Sequence, residues 1–291
     1  MSEERSDLVK AIKEKGKTIE AEMSFFDHLD VLRGHLIRAA IAILVFTILA
    51  FSYYTFIFEE IIMGPGRLNF WTYRMMCAAV EKFNLGADFC VKKLDFEIIN
   101  TELGGQFTLT LNSSLMIGIV LGVPYLLFEI WRFVKPALHE NERKSATGFV
   151  FWASLLFIIG LLFGYYIVSP LSIQFLANYE VSEIISNKIT IDSYFSIIAT
   201  LSIGSGITFE LPTIVFILSK LGIMTPKFMR SSRRYSSVII LIVAAIVTPT
   251  PDLVIMLVVS LPLFLLYELS IYISAIVEKR RKKAEAEFYR N

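Results

Sequence analysis

Residues 201–220 read LSIGSGITFELPTIVFILSK. Apart from Glu210 and the terminal Lys220, every side chain is apolar, small or a hydroxyl, and the run is long enough to cross a bilayer, since roughly 20 helical residues span about 30 Å of hydrocarbon. An acid at that depth costs about 2.5–3.5 kcal/mol on insertion scales, so something must stabilise it. Burial disfavours the charged form. Glu210 is therefore expected to carry its proton and donate to Thr208, Ser205 or Ser202 on its own helix, or to a polar group on an approaching one. Gly204 and Gly206 thin the helix surface and permit that approach.

The remainder of the chain is built in the same way. Of its 291 residues 55% are hydrophobic and 24 are Phe, with a mean hydropathy of +0.61, above the range of soluble domains. The expected fold is all-α, a polytopic membrane protein. Segments 36–58, 107–131, 149–168 and 194–218 each have the length of a spanning helix. Beyond them 236–247 provides 12 residues, about 18 Å of helix, and 253–266 is interrupted by Pro262. Read as a short hairpin, 236–266 completes six transmembrane helices, the last two short. Its turn, VTPTPDLV, offers Thr250 as a cap, Pro251 at the first helical position and Asp252 at the positive helix end.

Six spans place both termini on one side, and positive charge selects the side. Most of the 28 Lys and Arg fall in the N-terminal region up to and including Arg38, in 132–144, in 220–234 and in 279–290, so both termini are expected in the cytoplasm of a bacterial cell, with the chain in its cytoplasmic membrane. The exceptions are Arg67, Arg74, Lys82, Lys92, Lys93 and Lys188. Three regions follow: a cytoplasmic segment 1–35 with an interfacial helix, a transmembrane domain 36–277 with a long extracytoplasmic loop at about 59–106, and a basic cytoplasmic tail 278–291. Residues 1–35 are charged and hold no cleavable apolar core, so the first span is expected to insert uncleaved. Cys77 and Cys90 both fall in the long loop, where oxidation is possible; a disulfide is expected, with two free thiols as the alternative.

The net charge of +1 gives no field for nucleic acid. No Cys and His cluster suggests a metal, no nucleotide-binding loop is visible, and no nucleophile and base pair lies at membrane depth, so neither an enzyme nor a cofactor is expected. Two further charged motifs stand out. In FFDHLDVLRGHL, residues 25–36, three-residue spacing places Asp27, Asp30 and Arg33 near one helix face, where an Asp–Arg pair at a helix end is the plainer reading. WRFVKPALHENERK, residues 131–144, is a short loop with Pro136, His139, Glu140, Glu142 and Arg143, where a turn with ordinary surface charges is the plainer reading. A proton-coupled secondary transporter using Glu210 is the competing function. A single intramembrane acid and the lack of an internal repeat weigh against it.

Taken in order, these motifs resemble the TatC subunit family of the twin-arginine protein translocase. HLDVLRGHL is similar to its N-terminal His-Leu-x-Glu-Leu-Arg motif, IWRFVKPALHENERK to its first cytoplasmic loop, GITFELP to its fourth span and TPTPD to the turn before its last span. The resemblance implies a receptor for twin-arginine signal peptides that exports folded proteins with TatA-type, and in some systems TatB-type, single-span subunits in a homo- or hetero-oligomer, driven by the proton gradient. Two guanidiniums call for carboxylates in bidentate geometry. Glu142 matches the family's loop acid, and Arg33, Phe133 and Pro136 match positions that organise the site. Val31 stands where the family carries its N-terminal Glu; Asp30, about 100° around the helix, and Asp27 are the nearby substitutes. Met256 stands where the family often has a glutamine.

Overall fold

The computed structural model describes residues 25–83, 90, 96–135, 148–179, 182, 188–248 and 253–290. Helix α1 (Phe25–Ser52) is continuous from before the first span to its end. A π-helical stretch at Ile57–Ile62 and a 3₁₀ turn at Gly64–Gly66 lead to α2 (Trp71–Phe83). After strand β1 (Glu97–Ile99) comes α3 (Gly105–Val134). Helix α4 (Phe149–Phe163) passes through a π-helical stretch at Gly164–Val168 into α5 (Ser169–Asn178). Strand β2 (Lys188–Thr190) precedes α6 (Ile191–Phe209), α7 (Leu211–Lys220), the short α8 (Pro226–Ser231), α9 (Arg233–Val247) and α10 (Leu253–Arg290).

Among the described residues five stretches are long and apolar enough to cross a bilayer: Asp30–Ser52, Gly105–Val134, Phe149–Asn178, Ile191–Lys220 and Leu253–Lys283. Helix α9, with 15 residues, measures about 22 Å and falls below that length. The last helix is the correction: it is not short. Helix α10 runs for 38 residues and carries Pro262 inside it, which membrane helices tolerate. The stretch after Glu268 reads as half polar because of its serines, yet those hydroxyls turn inward. Ser270 Oγ donates to the Leu266 carbonyl at 2.6 Å, and Ser219 Oγ donates to Ser274 Oγ at 2.9 Å. Hydroxyls satisfied in this way do not interrupt a buried helix. The fold also departs from purely helical: β1 and β2 pair in parallel, with Glu97 opposite Lys188.

Two Gly-x-x-x-Gly motifs set the helix packing. In α3, Gly118 and Gly122 face Thr47 and Ile43 of α1; a Cβ at Gly118 would lie 2.7 Å from the Thr47 nitrogen, and one at Gly122 would lie 2.6 Å from Ile43 Cγ1. The numbers run in opposite senses, so α1 and α3 are antiparallel. In α4 and the turn after it, Gly160 and Gly164 face α6, where a Cβ would meet Phe209 Cβ at 2.6 Å and Ser202 Cα at 2.7 Å. Small residues at this spacing let helix backbones approach in lipid, where dispersion replaces the hydrophobic drive. The main core then forms where α6, α9, α10 and the Gly164–Val168 stretch meet, around Val168, Leu201, Phe209, Ala244, Val259 and Leu263.

A collar of tyrosines closes one end of the bundle. Tyr165 donates to the Ile61 carbonyl at 2.6 Å and Tyr194 to the Ile62 carbonyl at 3.0 Å. Tyr73 of α2 lies within reach of the carbonyls of Pro65 and Pro170, at 3.0 and 3.1 Å. Burial pushes the Tyr73 phenol well above its ordinary pKa, so it remains a donor. Cys77 of α2 and Cys90 form a disulfide with a Cα–Cα distance of 4.6 Å.

Candidate functional site

At the other end of the bundle α1 and α3 are joined by polar side chains. Glu129 lies near the end of α3 and is 2% exposed. Its Oε2 accepts from His35 Nδ1 and, at 3.1 Å, from Arg38 Nη2; its Oε1 accepts from Arg38 Nε at 3.2 Å and from the Tyr125 hydroxyl at 2.9 Å. His35 Nδ1 faces both the Glu129 carboxylate and Arg38 Nη2, the latter at 2.8 Å. A two-pronged guanidinium contact is the stronger kind of charge-assisted bond. The Phe133 ring stands edge-on to His35, with centroids 6.1 Å apart. Each carboxylate oxygen is thus engaged by at least two donors, which makes Glu129 a fastening between helices.

This acid corrects the count made from sequence, because it is a second carboxylate within an apolar span. It sits beside Arg132 at the end of an apolar run and so resembles ordinary helix-end charge, while its partners lie 91 and 94 residues away. The readable signal was the pair His35 and Arg38, one turn apart on the antiparallel partner.

The residues singled out in the N-terminal motif are placed differently. Asp30 and Arg33 are exposed on α1, and no ion pair joins them among the described residues. Asp27 belongs to α1, but its side chain lies outside the described residues, as do Pro136, Glu142, Pro251 and Asp252. Of the proposed set, Phe133 is therefore brought against the α1 segment through His35.

Glu210 occupies a break in the fourth of the long apolar stretches. Pro212 has no N–H to donate, and α6 ends while α7 begins around it: the Glu210 N–H bonds the Ile207 carbonyl at 3.1 Å, and its own carbonyl accepts from Ile214 at 3.0 Å. The side chain is 9% exposed, and neither carboxyl oxygen has a hydrogen-bond partner among the described residues. Thr213 lies beside it without hydrogen-bond geometry. The expected partners on its own helix do not serve it. Thr208 Oγ1 donates to the Gly204 carbonyl at 2.6 Å, and the hydroxyls of Ser202 and Ser205 are buried without a partner among the described residues. An acid and two serines are left with bonding capacity in the same span. Among the described residues no group of three or more His, Cys, Asp or Glu is arranged to hold a metal.

Long apolar helices packed through small residues, with charge fastened at one end and an acid at a helix break, define a multi-pass membrane protein. Comparison with known proteins specifies it further, since residues 27–262 match the family described as Sec-independent protein translocase protein (TatC). The chain belongs to the TatC family, a component of the twin-arginine protein translocase. The Sec-independent protein translocase protein TatC of Blattabacterium sp. subsp. Periplaneta americana (strain BPLAN) is 34% identical over 266 residues, covering 91% of this chain and 100% of that protein. TatCy of Bacillus subtilis (strain 168) is 32% identical, over 91% of this chain and 94% of its own. Two crystal structures of the twin-arginine translocase receptor TatC align with TM-scores of 0.62 and 0.65 at 28% and 29% identity. They cover 86% and 85% of this chain, and 99% of theirs.

Proposed function

We propose that this chain is the signal-peptide receptor and core subunit of a twin-arginine translocase, working with TatA-type and, where present, TatB-type single-span subunits to export folded proteins on the proton gradient. The observation that carries this reading is the Glu129 fastening. It holds the part of α1 that follows HLDVLR against the end of α3, the helix after which the sequence of the second motif continues, and this supports reading the two motifs that resemble the family's receptor elements as one site.

On this reading α9 is a sixth, short crossing, and both termini lie in the cytoplasm of a bacterial cell. Lys220, Lys227, Arg230, Arg233 and Arg234 between α7 and α9, together with the basic end of α10, support that orientation. Glu142 receives one guanidinium of the peptide, and Asp30 or Asp27 receives the other. Arg33, Phe133 and Pro136 shape the surface. Glu129 does not stand in for the carboxylate missing at Val31, because its oxygens are occupied and it is buried.

At the second locus Glu210, with Ser205 and Ser202, offers hydrogen bonds to a partner's spanning helix, where lipid offers none. Thr208 contributes less than its position suggests, its hydroxyl being committed to the Gly204 carbonyl.

A photo-crosslinking side chain at position 142 tests the receptor reading. It should capture a peptide bearing two adjacent arginines and lose it when both become lysine, since lysine cannot reproduce the bidentate geometry. Equal capture of both peptides would refute the reading.

A further inference from the structure

A cleft of about 330 Å³ opens between the start of α4, the end of α7 and the part of α10 near residues 273–280. Its walls are apolar, formed by Trp152, Leu156, Phe216 and Ile273 among others, and two cations stand in its lining, Lys220 and Arg280. Lys220 is the last residue of α7, with its ammonium 5.9 Å from the centre of the Phe216 ring. Arg280 is exposed on α10. Among the described residues lining the cleft there is no carboxylate.

Both cations lie at or near the ends of their apolar stretches, Ile191–Lys220 and Leu253–Lys283, whereas the apolar wall reaches further along them. The cleft therefore runs from the level of lipid headgroups into the hydrocarbon. We propose that it binds one anionic phospholipid, with the phosphate held by Lys220 and Arg280 and an acyl chain lying along Trp152, Leu156 and Ile273.

Two considerations select this occupant. The charge of the lining calls for an anion and repels an arginine-bearing peptide. Basic pockets between spanning helices at the membrane surface suit anionic headgroups, and a tryptophan at that level suits the interface. Pro212 and Thr213 also line the cleft, so a bound lipid would rest against the helix break that holds Glu210.

Trp152 provides the readout. The purified full chain is titrated in mixed micelles with phosphatidylglycerol or phosphatidylcholine brominated in the acyl chains, and quenching at position 152 is taken as the difference from Trp152→Phe. Phosphatidylglycerol should reach half-quenching at a mole fraction at least about fivefold lower, a factor expected for a single cation. The Lys220→Gln/Arg280→Gln variant should lose that preference. Lys279→Gln/Lys282→Gln, which alters cations lining a separate cleft against α8, should keep it, as should excess inorganic phosphate. Equal quenching by both lipids in the unaltered protein overturns the proposal, as does a preference that survives Lys220→Gln/Arg280→Gln. Loss of preference in Lys279→Gln/Lys282→Gln means diffuse surface charge, and its loss to inorganic phosphate means a phosphate site without lipid; either result also overturns it.

Discussion

Glu129 and Glu210 are both acids within apolar helices, and their surroundings give them opposite roles. Removing the Glu129 carboxylate strands His35 and Arg38. Breaking a fully buried pair costs about 3–5 kcal/mol, but the Arg38 side chain is 45% exposed and can regain water, so Glu129→Ala should lose about 2 kcal/mol. Thermal unfolding of the purified protein in detergent would show this as a lowered midpoint, with Glu129→Gln intermediate; an unchanged midpoint for Ala would make the fastening incidental. At Glu210 no hydrogen-bond partner among the described residues is lost. Glu210→Gln should therefore keep transport and partner-helix crosslinking close to normal, whereas Glu210→Ala should reduce both without lowering the unfolding midpoint. Glu210 was legible because apolar residues surround it on both sides. Glu129 was not, since a single strand of text does not reveal that a charge at a span's end faces two bases on an antiparallel neighbour.

Helix packing is governed by close approach more than by the bulk of the interdigitating residues. Gly118→Val places branched carbon against the Thr47 backbone and should force α1 from α3, loosening the Glu129 bonds as a consequence. A loss of monodispersity on size exclusion, together with weaker signal-peptide capture, would register it. Gly204→Ala is the control: an added Cβ there meets Val247 at 3.5 Å, an ordinary contact, so it should behave as wild type. If Gly118→Val is equally silent, the helices have slack that this packing denies. Four spans could be read from the length of their apolar runs, because the bilayer imposes length directly. The full extent of α10 could not, since its serines look polar until their hydroxyls are traced to carbonyls or to one another. The break at Glu210 was equally hidden, although Pro212 marks it once the helix on either side is known.

For the molecule as a whole, α9 introduces a mismatch of thickness. At about 22 Å against roughly 30 Å of hydrocarbon, it should thin the bilayer beside it if it crosses. Reconstitution into bilayers of increasing acyl length should then reduce export activity progressively, at a cost of fractions of a kcal/mol per Å of mismatch. Activity independent of thickness would mean that neighbouring helices shelter α9 completely. The tyrosine collar carries a different kind of consequence, one of timing. The carbonyls at Ile61 and Ile62 receive their hydroxyls from residues 104 and 132 positions later. At roughly 5–20 residues per second of synthesis, those acceptors wait several seconds or more for donors not yet made. The segment after α1 can settle only once Tyr165 and Tyr194 have emerged, so closure of the collar records that the nascent chain has passed its third long apolar stretch and begun its fourth.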